Sequence, residues 1–153
     1  FYMKWRVEHY NELESDKLYD ILKERVDVFV VEQKCPYPEI DGKDKESFHL
    51  WAEKDGEIIA YTRIIPKGIS YEEASIGRVL VRLDHRGKGL GRELMNKSIK
   101  YMKENMGESK IRISAQQRLK DFYISLGFDQ VSEMYLEDDI PHIEMYYNGE
   151  IVK

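Results

Sequence analysis

The sequence Arg86-Gly87-Lys88-Gly89-Leu90-Gly91 joins a predicted strand to a predicted helix. The apolar run before it, residues 76–81, is typical of a strand, and residues 92–106 have apolar spacing typical of a helix. Glycine has no side chain to cover the backbone, and the first N–H groups of a helix lack partners within the helix and lie at its positive end. We therefore expect a loop that binds an anion, such as a phosphate, through backbone N–H groups.

Basic residues crowd this loop, although the chain as a whole is acidic. The formal net charge of the 153 residues is −5 at neutral pH. A local positive patch in an acidic protein attracts a local anionic ligand, whereas general nucleic-acid binding usually needs a basic face. We therefore expect a small anionic ligand and no nucleic-acid partner. The basic side chains near the loop are Arg78, Arg82, His85, Arg86, Lys88 and Arg92.

Length and composition predict one domain that covers residues 1–153. The hydrophobic fraction of 42% and the charged fraction of 35% are typical of a soluble globular protein. No apolar run approaches the roughly 18 residues of a membrane span, so no membrane partner is expected. The N-terminus has no signal-peptide core, and the single cysteine, Cys35, cannot form a disulfide within the chain. Both observations favour a cytoplasmic location.

The first half of the chain predicts a strand, a helix and a hairpin. Lys4–His9 alternates like a strand, and residues 15–31 have helical spacing. Residues 48–53 and 57–66 are predicted strands joined by Lys54-Asp55-Gly56, whose Asp-Gly pair is a strong hairpin signal. The apolar stripe of the helix is expected to contain Leu18, Leu22, Arg25, Val26 and Phe29.

The second half interleaves strands and helices. Such an order after a hairpin predicts a mixed α/β sheet with helices on its faces. The helix after the glycines is expected to end at Gly107, and a short helix carries Tyr123 on its apolar stripe. The predicted elements are strands at residues 74–82, 111–115, 128–132 and 142–147, and helices at residues 91–106 and 117–126.

Two familiar phosphate-binding motifs do not fit the loop. A P-loop needs Gly-Lys followed by Ser or Thr to hold a metal ion, whereas Gly91 is followed by Arg92 and Glu93. A dinucleotide-binding fingerprint has the spacing G-x-G-x-x-G, whereas the glycines here alternate. The loop also fits a glycine-rich turn with solvated charges. Taken alone, it leaves a phosphate ligand and a purely structural turn open.

Segments downstream of the loop resemble a known family. Arg-x-x-Gly-x-Gly after a strand, followed by Tyr123 and Leu126-Gly127-Phe128, resembles the GNAT superfamily of acyl-CoA-dependent N-acyltransferases, and the resemblance covers nearly the whole chain. It implies a twisted mixed sheet, mostly antiparallel, with helices on both faces and a splayed central strand pair. Further segments resemble the ElaA-like subgroup: Phe29-Val30-Val31-Glu32-Gln33, Asp41-Gly42-Lys43-Asp44, His49, Ala115-Gln116, Phe122-Tyr123 and Glu137-Asp138-Asp139-Ile140-Pro141-His142.

The resemblance implies that coenzyme A is the donor. Backbone groups of Leu80 and Val81 would bind the pantetheine arm and the acyl carbonyl, with the arm in a gap between residues 76–81 and 111–115. The family often has Asn and Ala seven and four residues before the tyrosine, whereas this chain has Gln116 and Leu119. The longer amide of Gln116 is still expected to hydrogen-bond near the coenzyme. The coenzyme pyrophosphate would be bound by Arg86, Gly87, Lys88, Gly89, Leu90, Gly91 and Arg92.

Tyr123 is the candidate general acid. Acyl transfer from a thioester leaves a thiolate that needs a proton. A phenol with a pKa of about 10 is close in acidity to an alkyl thiol near 8.5, so this proton transfer is nearly balanced. The same tyrosine can also complete the apolar stripe of its helix, and the two roles are compatible.

The base and the acceptor site are less narrowly defined. Glu32, His142 and His49 are candidates for the base that deprotonates the amine, and a water chain to solvent is the alternative. Each of these side chains also fits a structural role, as a helix-end cap, an ion pair or a hydrogen-bonded strand histidine. The histidines lack the spacing of metal ligands, so no metal is expected. The acceptor site is expected to contain Gln33, Asp41, His49 and Glu137.

The sequence therefore predicts an N-acetyltransferase that uses acetyl-CoA and direct attack by a primary amine. A small molecule, a peptide N-terminus and a protein lysine all stay open as acceptors. The alternative function is a non-catalytic coenzyme A-binding sensor or interaction module on the same fold. A ping-pong role for Cys35 is conceivable, but direct transfer is simpler. The tail, residues 146–152, predicts an exposed strand that could pair with a second copy to form a homodimer.

Overall fold

The predicted strands and helices recur, with small shifts, in a computed structural model that describes residues 3–150. The fold is a mixed α/β arrangement of mostly antiparallel strands with helices on both faces, as predicted. In chain order, its strands and α-helices are β1 (Lys4–His9), α1 (Ser15–Arg25), β2 (Phe48–Lys54), β3 (Glu57–Ile65), β4 (Ser75–Val81), α2 (Leu90–Met106), β5 (Lys110–Gln116), α3 (Lys120–Ser125), β6 (Asp129–Gln130), β7 (Tyr135–Glu137) and β8 (Ile140–Asn148).

The predicted hairpin forms the centre of the first sheet. β2 and β3 pair antiparallel, and the turn between them places Asp55 and Gly56 at φ 54° and 78°. Two successive left-handed residues give the turn a twist that matches the two strands, which is why Asp-Gly is favoured there. β1 and β4 extend this sheet in the order β1-β2-β3-β4.

Each face of the first sheet packs against one helix. On one face, the alternating residues Leu50, Ala52 and Ile64 pack in a single core with Leu94 and Met102 of α2. On the other face, Trp51 and Tyr61 pack with Ile21 of α1. Burial of each large apolar side chain contributes about 1.5–3 kcal/mol, so these two layers fix both helices to the sheet.

The helix that begins at Ser15 changes its geometry at Val26. Residues Val26–Glu32 form a π-helix, in which the Gln33 N–H donates to the Val28 carbonyl at 3.1 Å. Val28 enters the core, whereas Val26, the first residue of this segment, is 36% exposed. Val26 therefore does not share the burial of the stripe on which the sequence placed it, whereas Arg25 of the same stripe is fully buried.

The second sheet contains a hairpin that the sequence analysis missed. β7 and β8 pair antiparallel around Asp138 and Asp139, which have φ values of 52° and 61°. This turn has the left-handed geometry of an Asp-Gly turn but contains no glycine. The predicted strand at residues 128–132 shortens to β6. After it, the Val131 N–H still donates to the Glu144 carbonyl at 2.9 Å, whereas the Glu144 N–H donates to the Ser132 hydroxyl at 2.8 Å instead of to a backbone carbonyl.

The C-terminal strand is largely used within this chain. Tyr146 of β8 pairs with Arg112 of β5 on one side and with Asp129 of β6 on the other. Up to this residue β8 is an inner strand and offers no free edge to a second copy. Residues 151 and 152 of the predicted pairing segment lie outside the described residues. Within residues 3–150, no helix is long and apolar enough to cross a membrane.

A buried group of charges attaches residues 39–44 to the sheet. We call it the arginine–carboxylate cluster; its members are Arg25, Glu39, Asp41, Asp44, Arg63 and Arg78. Its three positive and three negative groups balance. Its shortest contacts are Arg25 to Glu39 at 2.9 Å, Arg25 to Asp44 at 2.6 Å, Arg63 to Asp41 at 2.7 Å, Arg63 to Asp44 at 3.1 Å, and Arg78 to Glu39 at 2.6 Å.

Asp44→Asn is expected to lower the free energy of unfolding by about 3 kcal/mol near neutral pH, because it leaves buried arginines without a full counter-charge. Burial opposes ionisation of Asp44, but Arg25 and Arg63 outweigh it and lower the pKa of Asp44 in the folded state. The stabilisation is therefore complete above the unfolded pKa of about 3.9 and is lost as the pH falls through the lower folded pKa. Urea denaturation at a series of pH values should show the difference between wild type and variant narrowing below about pH 4.

Asp27→Asn is the matched control for this measurement. It removes the same charge from an exposed ion pair with Lys23, whose side chain is 60% exposed. Exposed pairs contribute little, so a much smaller change is expected, with no comparable narrowing at acidic pH. Equal effects of the two substitutions would contradict a structural role for the buried cluster.

Candidate active site

The candidate site is a cleft between two parallel strands that separate. β4 and β5 approach at a single bridge, where the Arg112 N–H donates to the Ala74 carbonyl at 3.0 Å. Beyond it, the two strands form no further ladder within residues 3–150 and enclose a cleft of about 670 Å³. β4 pairs with β3 on its other edge, so the edge that faces the cleft offers backbone groups to a ligand. Leu80 and Val81 line this edge, where the resemblance places the pantetheine arm.

The glycine loop forms one end of the cleft. Gly87 and Gly89 have φ values of 78° and 79°, a left-handed geometry that glycine adopts without strain. α2 begins at Leu90, and no side chain of the described residues caps its N-terminus. Its first N–H groups are therefore available to an anion. Gly87, Gly89, Leu90 and Gly91 all line the cleft.

Most of the basic side chains around the loop already have partners within the protein. Arg78 belongs to the arginine–carboxylate cluster, and Arg82 pairs with Glu57 at 2.9 Å. Arg92 donates to Ser125 at 2.8 Å, so its side chain turns toward α3. Lys88 and Arg92 do not line the cleft, whereas Arg86 does. His85 and Arg118 also line the cleft: His85 lies 3.0 Å from Asp84, and Arg118 donates to the neutral side chain of Gln116. Fewer of the predicted basic side chains thus face the cleft than expected, and its positive groups are the backbone N–H groups of the loop together with Arg86 and Arg118.

Tyr123 lies in the cleft wall with its ring held by aromatic neighbours. The rings of Phe122 and Phe128 contact it edge-on, with centroids 5.2 and 5.9 Å away. Only 5% of the residue is exposed, and its hydroxyl has no hydrogen-bond partner among residues 3–150. Burial raises the pKa of Tyr123 to about 12, although the charge of Arg118 opposes this shift. The phenol is therefore protonated at neutral pH and is a weaker acid than a tyrosine in water.

His142 lines the cleft in an orientation that defines its tautomer. Its Nδ1 lies 2.7 Å from the Ile140 carbonyl, which can only accept, so Nδ1 carries a proton. The neutral ring then has its lone pair on Nε2, which lies 3.4 Å from a carboxylate oxygen of Glu137. Nε2 is therefore the ring nitrogen that faces the Glu137 carboxylate.

Glu137 is itself positioned by residues that the sequence analysis missed. The Ser114 hydroxyl donates to Glu137 at 3.1 Å, and the Tyr135 hydroxyl lies 2.5 Å from the same Ser114 oxygen. Alternation along β5 was a usable signal for Ser114, because it shares a strand face with Gln116. Tyr135 gave no comparable signal, since β7 is only three residues long.

Glu32 and the two glutamines lie where the walls of the cleft meet. Both carboxylate oxygens of Glu32 accept from Arg86, at 2.8 and 3.0 Å. The Gln116 side-chain N–H donates to the side-chain oxygen of Gln33 at 3.4 Å, and the Gln116 side-chain oxygen accepts from Arg118 at 3.0 Å. The predicted neighbours Glu32, Gln33 and Gln116 are therefore brought together in one cleft.

Two of the predicted acceptor-site residues have structural partners. Asp41 lines the cleft but binds Arg63 with both oxygens, at 2.7 and 2.8 Å. His49 is fully buried and does not line the cleft. Its Nε2 donates to the Asp44 carbonyl at 3.0 Å and its Nδ1 lies 2.6 Å from the Tyr61 hydroxyl. Burial lowers the pKa of His49, so the ring is neutral in the core.

Cys35 lines the cleft without the surroundings of a nucleophile. Its Sγ lies 3.5 Å from the Asp138 carbonyl. Burial, followed by the charges of Asp138, Asp139 and Glu39, raises the pKa of the Cys35 thiol. The reactive thiolate is therefore disfavoured. In the described part of the chain, no group of three or more His, Cys, Asp or Glu side chains could hold a metal ion.

Comparisons with known proteins agree on one family. A family model described as an acetyltransferase (GNAT) domain matches residues 17–148. Protein ElaA of Escherichia coli (strain K12) is 40% identical over 145 residues, which are 94% of this chain and 95% of that protein.

Two crystal structures show the same likeness in three dimensions. Escherichia coli ElaA superposes with a TM-score of 0.90 at 38% identity, over 96% of this chain and 100% of that one. A structure described as an acyl-CoA N-acyltransferase from Pseudomonas aeruginosa gives a TM-score of 0.91 at 40% identity, over 95% of this chain and 99% of that one. The chain thus belongs to the GNAT family of acyl-CoA-dependent acyltransferases and, within it, to the ElaA-like subgroup.

Proposed function

We propose that the protein transfers the acetyl group of acetyl-CoA to a primary amine by direct attack. The observation that best supports this proposal is a single cleft lined by both the uncapped glycine loop and the unpartnered hydroxyl of Tyr123. The loop would bind the coenzyme pyrophosphate, and the free edge of β4 would bind the pantetheine arm. Acetyl is the proposed acyl group because the family model that matches the chain is described as an acetyltransferase domain.

The proposed reaction needs no covalent enzyme intermediate. The amine lone pair attacks the thioester carbon and forms the C–N bond, and backbone N–H groups near Leu80 and Val81 stabilise the resulting oxyanion. Collapse of this intermediate breaks the C–S bond, and Tyr123 donates its proton to the departing thiolate. An amine that arrives as an ammonium ion loses two protons, one to the base before it attacks and a second after the C–N bond has formed. Tyr123 gives one proton to the thiolate and is restored by the second, so one proton is released to solvent through the base. The raised pKa of the Cys35 thiol argues against a ping-pong route.

We propose His142, supported by Glu137, as the base. The Nε2 lone pair of His142 is directed to the side where Glu137 lies, and the Glu137 carboxylate stabilises the imidazolium that forms. Glu32 is the weaker candidate in the free protein, because Arg86 holds both of its oxygens. The carboxylates of Glu137 and Glu32 also favour a cationic amine as acceptor.

Turnover is expected when acetyl-CoA is mixed with a suitable amine and thiol release is measured. The panel should contain polyamines, amino acids, peptides with free N-termini and lysine-containing peptides, because acceptor specificity depends on loop shape. Titration calorimetry with coenzyme A measures donor binding independently. Tight coenzyme binding without turnover of any amine would contradict the proposed enzyme and favour the non-catalytic sensor.

Tyr123→Phe is expected to lower kcat about 100-fold, because the thiolate then leaves without a positioned acid. The affinity for coenzyme A should stay close to that of wild type, since the ring and its packing are retained. Tyr101→Phe is the matched control: it removes the same hydroxyl from a residue outside the cleft that packs on Phe48. An unchanged kcat for Tyr123→Phe would assign Tyr123 a packing role only.

His142→Gln is expected to lower kcat/KM for the amine about 100-fold near neutral pH, where most amine is protonated and needs a base. The difference in kcat/KM between variant and wild type should shrink as the pH approaches the pKa of the amine, because the amine then loses its proton in solution. A deficit independent of pH would indicate a structural role. His9→Gln, which alters a histidine outside the cleft, controls for the loss of an imidazole.

A further inference from the structure

The ion pair between Glu32 and Arg86 occupies groups that the donor coenzyme would use. The Arg86 guanidinium donates to both Glu32 oxygens, at 2.8 and 3.0 Å, and its Nε donates to the Val81 carbonyl at 2.7 Å. One side chain thus covers the end of β4 and, at the same time, neutralises a carboxylate. All three residues line the cleft.

Arg86 differs from the other arginines near the loop. Arg78 and Arg82 are held by partners outside the loop, and Arg92 turns toward α3. Arg86 is left as the guanidinium of the loop that faces the cleft. Its pair with Glu32 is bidentate but about one-third exposed on both sides, so solvent and salt screen it.

A bound pyrophosphate would compete with Glu32 for the guanidinium of Arg86. The glycine loop would place phosphate oxygens beside Arg86, where the Glu32 carboxylate already lies. Two negative groups at one guanidinium repel each other, and the more highly charged phosphate gains more from the backbone N–H groups and the helix end. Glu32 is the group that gives way, because Arg86 is its one ion-pair partner among residues 3–150.

We propose that Glu32 occupies Arg86 in the free protein and that the phosphate of the donor coenzyme displaces it. The inference rests on the proposed function, since it assumes that coenzyme A binds at the glycine loop. Displacement turns Arg86 from Glu32 to the phosphate and leaves the Glu32 carboxylate without a counter-ion in the cleft. Donor binding thereby creates an anionic subsite for the ammonium group of the acceptor.

The first test is the affinity of coenzyme A for Glu32→Gln by titration calorimetry. Removal of the competing carboxylate should tighten coenzyme binding about three- to tenfold, which corresponds to the strength of an exposed charge-assisted pair. Asp27→Asn removes the same charge from the same helical segment but from a pair with Lys23, and should leave the affinity within about twofold. Added salt should reduce the gain, because it screens the competing pair.

A double-mutant cycle with Arg86→Gln isolates the interaction. In the Arg86→Gln background, Glu32→Gln should no longer tighten coenzyme binding, because the shared guanidinium is absent. With the best amine of the panel, Glu32→Gln should raise KM for the amine while it tightens coenzyme binding. A residue that only stabilises the fold would not change the two affinities in opposite directions.

Each outcome decides between the two proposals. If wild type binds coenzyme A but Glu32→Gln gains no affinity over Asp27→Asn, the displacement is refuted and the proposed donor stands. A gain that persists in the Arg86→Gln background also refutes it. If neither wild type nor any variant binds coenzyme A, both the proposed donor and the proposed displacement are refuted.

Discussion

The separation of β4 from β5 after one bridge is the constraint on which the candidate site depends. Ala74 and Ile111 hold the two strands together at one end. β4 then pairs with β3, whereas β5 pairs with β8. A bulge on β4, where Arg78 adopts a φ of 50°, increases the local twist. The resulting gap exposes strand backbone in the interior, where an unpaired N–H or C=O group is costly without a ligand or water.

The walls of this gap are attached to the sheets and to each other by polar contacts. The arginine–carboxylate cluster fixes residues 39–44 to β3 and β4. Across the cleft, Tyr37 hydrogen-bonds Asp139 and Cys35 contacts Asp138, so the residues just before this segment meet the β7–β8 turn. Apolar burial sets the layers, whereas these directional contacts set the shape of the acceptor end.

The sequence predicts those parts of the fold that depend on residues close together in the chain. Asp55-Gly56 and Gly107 adopt the left-handed geometry for which glycine and aspartate are favoured. The β7–β8 turn was missed because Asp138 and Asp139 adopt that geometry without a glycine signal. The buried His49 bonds the Tyr61 hydroxyl and the Asp44 carbonyl, and Asp41 binds Arg63, which is distant in sequence. No pattern within a single segment carries that information.

The charges of the candidate site likewise depend on contacts between segments that are distant in sequence. These contacts also give the proposed acid and the proposed base different surroundings. A neutral hydroxyl costs less to bury than a charge, so Tyr123 is tolerated in apolar surroundings, where burial raises its pKa and keeps it protonated. A carboxylate needs a partner, so Glu137 lies beside Ser114 and His142, and Glu32 is held by Arg86. In the proposed mechanism, Tyr123 holds its proton before any ligand binds, whereas the charge of Glu32 is released only when another anion binds Arg86. The proposal therefore couples donor binding and acceptor attraction through one guanidinium.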